Sequence, residues 1–199
     1  MNWRDHMEYY KLIKRTDSWK ALTPKKNPDS FSELNESIDE YHMRLKERFS
    51  IPFDVLKQWL YCLFYDRNTV TNYSWLNYDK IEFVLTDLSL DELKTIRIID
   101  NFKGYVEEKA KCNPYDQLTC TEKDKEYWRN FGTWKTPPII LDIDSLNIDN
   151  KPEYSDIQGI LQLVEGHTRL GYLYAIANYK LPLKKQHKVY LMRYKNVQV

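Results

Sequence analysis

Leu34, Ile38, Tyr41, Leu45 and Phe49 recur at helical spacing. They predict a helix over about 31–48, opened by a Ser30–Glu33 capping box. Ahead of it, Tyr9, Leu12 and Ile13 predict a short helix, and 23–28 reads as a loop. Ser50 and Pro52 start the next helix, whose inward face is Val55, Leu56, Trp59, Leu60 and Leu63. Ile81, Phe83 and Leu85 alternate as in a short strand. Ser89 and Glu92 form a second capping pattern, followed by Leu93, Ile96, Ile99, Phe102 and Val106, so one helix is expected to reach Lys109. Residues 110–131 are polar and read as a long connection with a turn near Lys123–Arg129. Beyond Thr136 the period changes. A strand is expected behind Pro137 and Pro138, running to Ile143, and a polar loop at 147–156. Ile157–Val164 reads as a second strand, Leu170–Tyr179 as a helix and Lys188–Tyr194 as a last strand.

Glycine sharpens this division. Four of the five glycines fall between 132 and 171, where the backbone has to turn sharply. The expectation is an α+β fold, with a mainly helical region at 1–130 and an α/β unit at 131–199. Aromatic residues reach 15% and hydrophobic residues 42%, enough for a packed core and unlike a disordered chain. No apolar run approaches the roughly 18–20 residues that span a bilayer. Met1–His6 lacks a signal-type stretch, so the chain reads as cytoplasmic and without a membrane partner.

Charge adds a second asymmetry. The whole chain carries only +1, which excludes a polycation that coats nucleic acid. After Glu165, however, seven lysines and arginines follow without one acidic residue. Such a stretch suits a phosphate-bearing partner, nucleotide or nucleic acid, or else a solvated basic strand balanced by acidic helices. Cys62, Cys112 and Cys120 do not make a disulfide framework, and no histidine stands near a cysteine pair at zinc spacing.

The densest chemistry lies at Glu165-Gly166-His167-Thr168-Arg169, between a strand and a helix. Gly166 permits the turn and a close approach, the helix start favours negative charge, and Arg169 brings a planar fork of donors. Thr168 is placed to cap the helix or to donate to an oxygen. These residues fit an anion site, most naturally for phosphate. The same residues also read as a plain strand-to-helix turn with an exposed arginine. His167 beside a phosphate would serve as general acid or base, or would only bond a loop carbonyl. Asp142 and Asp144 share a strand face and are candidates for Mg²⁺. Tyr172, Tyr174, Tyr190 and Tyr194 are candidates to stack on bases.

Pro137-Pro138-Ile139-Ile140-Leu141, then Leu163-Val164-Glu165-Gly166-His167-Thr168-Arg169-Leu170 and an alanine-containing helix, resemble the ParB/sulfiredoxin superfamily over about 136–196, roughly a third of the chain. The resemblance implies a ParB/sulfiredoxin-like fold for 131–199. It implies phosphate contacts at Gly166, Thr168 and Arg169, an acidic strand end at Glu165, and His167 as a catalytic candidate. The nucleophilic cysteine of a sulfiredoxin falls at His167 here, so that activity is not expected. A partition protein of ordinary architecture, whose helix-turn-helix domain follows the last strand, is likewise not expected. The implied relatives are stand-alone bacterial, plasmid or phage-defence modules that act on nucleotides or DNA as nucleases or nucleotide hydrolases. A nucleoside triphosphate with Mg²⁺ is the implied cofactor. The alternative is a non-catalytic module whose helical region at 1–130 docks a protein partner.

Overall fold

Behind Pro137 and Pro138, the apolar run Ile139–Asp142 forms strand β2 in the computed structural model, which describes residues 12–25, 35–118, 120–146 and 151–195. It is one of four strands, with β1 at Ile81–Ser89, β3 at Leu161–Glu165 and β4 at Gln186–Tyr194. The sheet order is β1-β4-β2-β3. β2 runs antiparallel to β3 and parallel to β4, so the sheet is mixed. The α+β class expected from the sequence is the class observed.

The described residues of Met1–Glu82, Asn147–Asp156 and Tyr194–Val199 form one compact unit. Its helices are α1 (Asp17–Ala21), α2 (Ile38–Leu45), α3 (Phe53–Val55) and α4 (Arg67–Tyr73). A π-helical turn at Leu56–Leu60 carries α3 on into Tyr61–Leu63. Val55, Leu56, Trp59 and Leu60 are buried as the periodicity requires. Trp19 stacks on Phe64 at 4.5 Å beside them. The capping box of α2 is Ser37–Glu40; the one expected at Ser30–Glu33 lies outside the described residues, as does the start of the predicted helix. Glu36 is buried here and takes both the Arg44 guanidinium, at 2.5 Å, and the backbone N–H of Lys25, at 2.7 Å. Those donors hold its carboxyl below the ordinary value against the opposing effect of burial, the largest single influence on it.

Phe83–Leu146 and Ile157–Arg193 form the second unit. It holds α5 (Leu90–Lys94), α6 (Asp100–Lys109), α7 (Glu122–Phe131) and α8 (His167–Asn178). The boundary read at 130/131 therefore falls at the end of α7, inside this unit, and α5–α7 belong with the sheet. Its core joins Leu93, Trp128, Trp134, Ile140, Leu163, Leu170, Leu173, Ile176 and Val189.

Helices α1 and α4 were not expected from the sequence, β3 begins at Leu161 and not at Ile157, and two further elements differ for a physical reason. The single helix expected from Ser89 to Lys109 is two, because Arg97 leaves the helical path and lies parallel beside β3. Its N–H donates to the Leu161 carbonyl at 2.9 Å, and its carbonyl accepts from Leu163 N–H at 2.8 Å. The β-branched run Thr95-Ile96-Arg97-Ile98-Ile99 suits extended backbone, and those two bonds decide it. The connection expected over 110–131 contains α7, which the Thr121 side chain caps by accepting from Asp124 N–H. The many charged residues of α7 hide its one buried stripe, centred on Trp128.

Candidate functional site: the turn from strand β3 into helix α8

A β-bulge interrupts β2–β3 pairing between Ile139, opposite Glu165, and Ile140, opposite Leu163. Val164 is the extra residue, and the bulge bends the strand just before it ends. Gly166 then takes φ +109°, a conformation that side chains rarely adopt. A Cβ there would also lie 2.5 Å from Pro138 Cβ and 3.1 Å from Arg169 Nη2. The glycine is thus required twice, by conformation and by packing. The space expected beside it for a ligand is filled by Pro138.

Gly166 is the N-cap of α8, with no side-chain cap. Thr168 does not cap the helix as one reading expected; its hydroxyl pairs with that of Tyr105 on α6, at 2.9 Å. α6 comes this close because Gly171 faces it: a Cβ there would meet Lys109 Cβ at 2.5 Å and the Val106 carbonyl at 3.0 Å.

Arg169 is not the exposed first-turn arginine that the spacing implied. Its side chain is 22% exposed and approaches the Glu165 carboxylate at 3.7 Å. Burial lowers the guanidinium pKa and Glu165 raises it again. His167 is 7% exposed and lies against Phe102, ring centroids 4.3 Å apart. Burial first, and the Arg169 charge second, push its pKa down to about 4. It is therefore neutral at pH 7, and a general acid at that pH is not available from it. Its Nε2 is buried without a hydrogen-bond partner among the described residues.

Thr168, Arg169 and Tyr172 of α8 line a cavity of about 220 Å³, with Lys135 and Thr136 from the approach to β2, and Trp128, Trp134, Cys120 and Asp124 around them. Lys135 and Thr136 make no side-chain hydrogen bond or ion pair with any described residue. Burial and the Asp124 charge push the Cys120 thiol up, which keeps it protonated. Of the residues singled out in the sequence, this cavity brings together Thr168, Arg169 and Tyr172. Glu165, Gly166 and His167 stand next to them in the chain but do not line it.

Searches against protein-family models, curated proteins and solved structures find no match.

The remaining candidates lie elsewhere. Asp142 is engaged in its own turn, its Oδ1 accepting from Ser145 N–H and its carbonyl from Ser145 Oγ at 2.7 Å. Asp144 is exposed, and no group of three or more histidine, cysteine or acidic side chains converges among the described residues. Tyr174 donates to the Leu93 carbonyl at 2.8 Å, and burial pushes its pKa up to about 12. Tyr190 and Tyr194 are half-buried on β4. Part of the basic stretch is engaged: Lys188 pairs with Asp87 at 3.1 Å, and Lys195 Nζ donates to the Asp79 carbonyl. All three cysteines are free. Among the described residues no helix is long and apolar enough to cross a membrane.

Sequence reasoning missed Lys135, Thr136, Trp128 and Trp134 as site residues. The available signal was Thr121 with Asp124 at capping distance, followed by Trp128 one helical stripe on. It also missed His187, which is wholly buried, meets the Thr133 hydroxyl at 2.9 Å through Nδ1 and tilts against Trp134.

Proposed function

We propose that this chain is a cytoplasmic phosphate-recognition protein of the ParB/sulfiredoxin type, which binds a nucleotide or nucleic acid at the start of α8. One observation carries the reading. Two cationic residues from separate elements, Lys135 and Arg169, line one cavity together with Thr136 and Thr168. A phosphoryl group accepts from Lys135, Thr136 and Arg169, and guanidinium and ammonium donors give the strong, charge-assisted kind of bond. The helix start adds a partial positive charge of the same preference. In this reading Gly166 shapes the turn, Glu165 holds Arg169 in place, and a triphosphate brings its own Mg²⁺.

Calorimetric titration with ATP, CTP and GTP in the presence of Mg²⁺ tests it. Heat with at least one is expected. Lys135→Ala should weaken binding by about 1.5–3 kcal/mol, the usual range for a hydrogen bond to a charged group. Lys135 is exposed, so this variant should fold normally. Absence of heat from the folded protein with every phosphate ligand would sink the reading.

The ParB-like resemblance also implies nuclease or phosphohydrolase activity, for which His167 and Glu165 were the candidates. The neutral, buried His167 favours binding without catalysis, a feature shared with the second reading, a non-catalytic protein-interaction module on the same scaffold. Measurement of phosphate release and of DNA cleavage separates the two.

A further inference from the structure

The size and charge of the cavity at α8 narrow the ligand, and this step rests on the phosphate reading above. We propose that the site takes a sugar phosphomonoester, the ribose 5-phosphate end of a nucleotide with a single phosphoryl group, in preference to a nucleoside triphosphate.

Volume is the first ground. Sites for drug-sized ligands run to roughly 300–1,000 Å³. At about 220 Å³ this cavity lies below that range. One phosphoryl group and one sugar ring are of this scale, while a base and two further phosphates would have to lie outside.

Charge is the second. The lining offers two cations, Lys135 and Arg169, and one carboxylate, Asp124. Glu165 already draws on Arg169 from 3.7 Å. A phosphomonoester brings about −1.5 to −2 at neutral pH, which these cations match. A triphosphate free of Mg²⁺ brings roughly twice that charge and sets the excess beside Asp124, where like charges repel; against its Mg²⁺ complex the discrimination rests on volume.

The distribution of donors is the third. Lys135 and Thr136 have donors that no described residue uses, and they stand in the segment that leads into β2. The phosphoryl group accepts from these two and from Arg169. Trp128, Trp134 and Tyr172 are nearly buried and give the cavity an apolar wall. A sugar ring needs no more than that wall.

Calorimetry on the full chain tests the proposal with four probes: ribose 5-phosphate, CMP, inorganic phosphate and CTP with Mg²⁺. Ribose 5-phosphate and CMP should bind within about threefold of each other, and both at least tenfold tighter than CTP–Mg²⁺ or inorganic phosphate. Lys135→Ala should cost ribose 5-phosphate at least tenfold in affinity, with an unchanged melting temperature, and Lys135→Arg should restore most of it. If CTP–Mg²⁺ binds as tightly as CMP or more tightly, the proposal is overturned and the phosphate reading stands. If inorganic phosphate equals ribose 5-phosphate, the sugar makes no contact and the proposal falls. A Lys135→Ala variant that binds ribose 5-phosphate normally places the ligand elsewhere and overturns it too. If no probe binds the folded protein, this proposal and the phosphate reading fail together.

Discussion

Acidification from pH 7 to pH 5 should destabilise the second unit through two buried histidines. His167 and His187 are both held neutral, each with its pKa pushed down to about 4 from an ordinary 6.5. Burial is the main cause in both, with Arg169 adding to it at His167 and Lys184 at His187. Each Nε2 is buried without a partner among the described residues, so a proton placed there finds no acceptor. The sign follows directly. The unfolded chain takes up protons first, near pH 6.5, so stability is full above that value and falls as the pH drops toward 4. At about 1.4 kcal/mol per pKa unit, each histidine costs roughly 2 kcal/mol by pH 5 and roughly 3 kcal/mol by pH 4. Two together remove about 4 kcal/mol at pH 5, a large share of the roughly 5–15 kcal/mol that holds a domain folded. Carboxylates contribute little in that window, since Glu36, Asp79 and Glu92 are held below their ordinary values and protonate at lower pH. The assay is urea unfolding at pH 7 and pH 5, followed by circular dichroism and tryptophan fluorescence. His167→Leu and His187→Leu should each remove about half of the acid loss. A double variant that loses as much stability between pH 7 and pH 5 as the parent protein would refute the reasoning.

Gly166→Ala should cost at least about 1–3 kcal/mol, from backbone strain at φ +109° and from the Pro138 contact, and a thermal melt reads it as a fall of several degrees. Arg44→Ala should cost about 1.5–3 kcal/mol in urea unfolding, since it removes charge-assisted bonds to the part-buried Glu36 carboxylate. Arg44→Ala together with Glu36→Gln should recover part of that loss. Tyr105→Phe should cost only about 0.5–1.5 kcal/mol, one neutral hydrogen bond to Thr168, and leave the melting profile cooperative.

Much of the second unit was legible because its strands are short, apolar and bounded by prolines and glycines. Ile139–Asp142 falls where the change of period placed it, while the second strand begins at Leu161 instead of Ile157 and α8 begins at His167, three residues before the expected Leu170. The break at Arg97 was not legible: Leu93, Ile96, Ile99 and Phe102 keep helical spacing, and only the pairing with β3, distant in sequence, overrides it. The Glu165–Arg169 turn was visible as a pattern, yet the burial of Arg169 was not, because Pro138 and α6 close over the turn from elsewhere in the chain. The free donor Lys135 stayed hidden for the opposite reason. It stands in an irregular segment, and only the fold brings it to α8.

The same detour at Arg97 has a consequence for how the protein keeps to itself. β3 lies at the end of the strand order, where its outward N–H and C=O groups would otherwise be a template for a strand of another molecule. Arg97 takes up the Leu161 carbonyl and the Leu163 N–H, and its guanidinium donates to Gln162 Oε1 at 2.9 Å. A foreign strand that approached this side would have to expel a cation and break both backbone bonds at once. One residue of the connection between two helices thus guards a sheet edge against unwanted association, and does so without the length of a fifth strand.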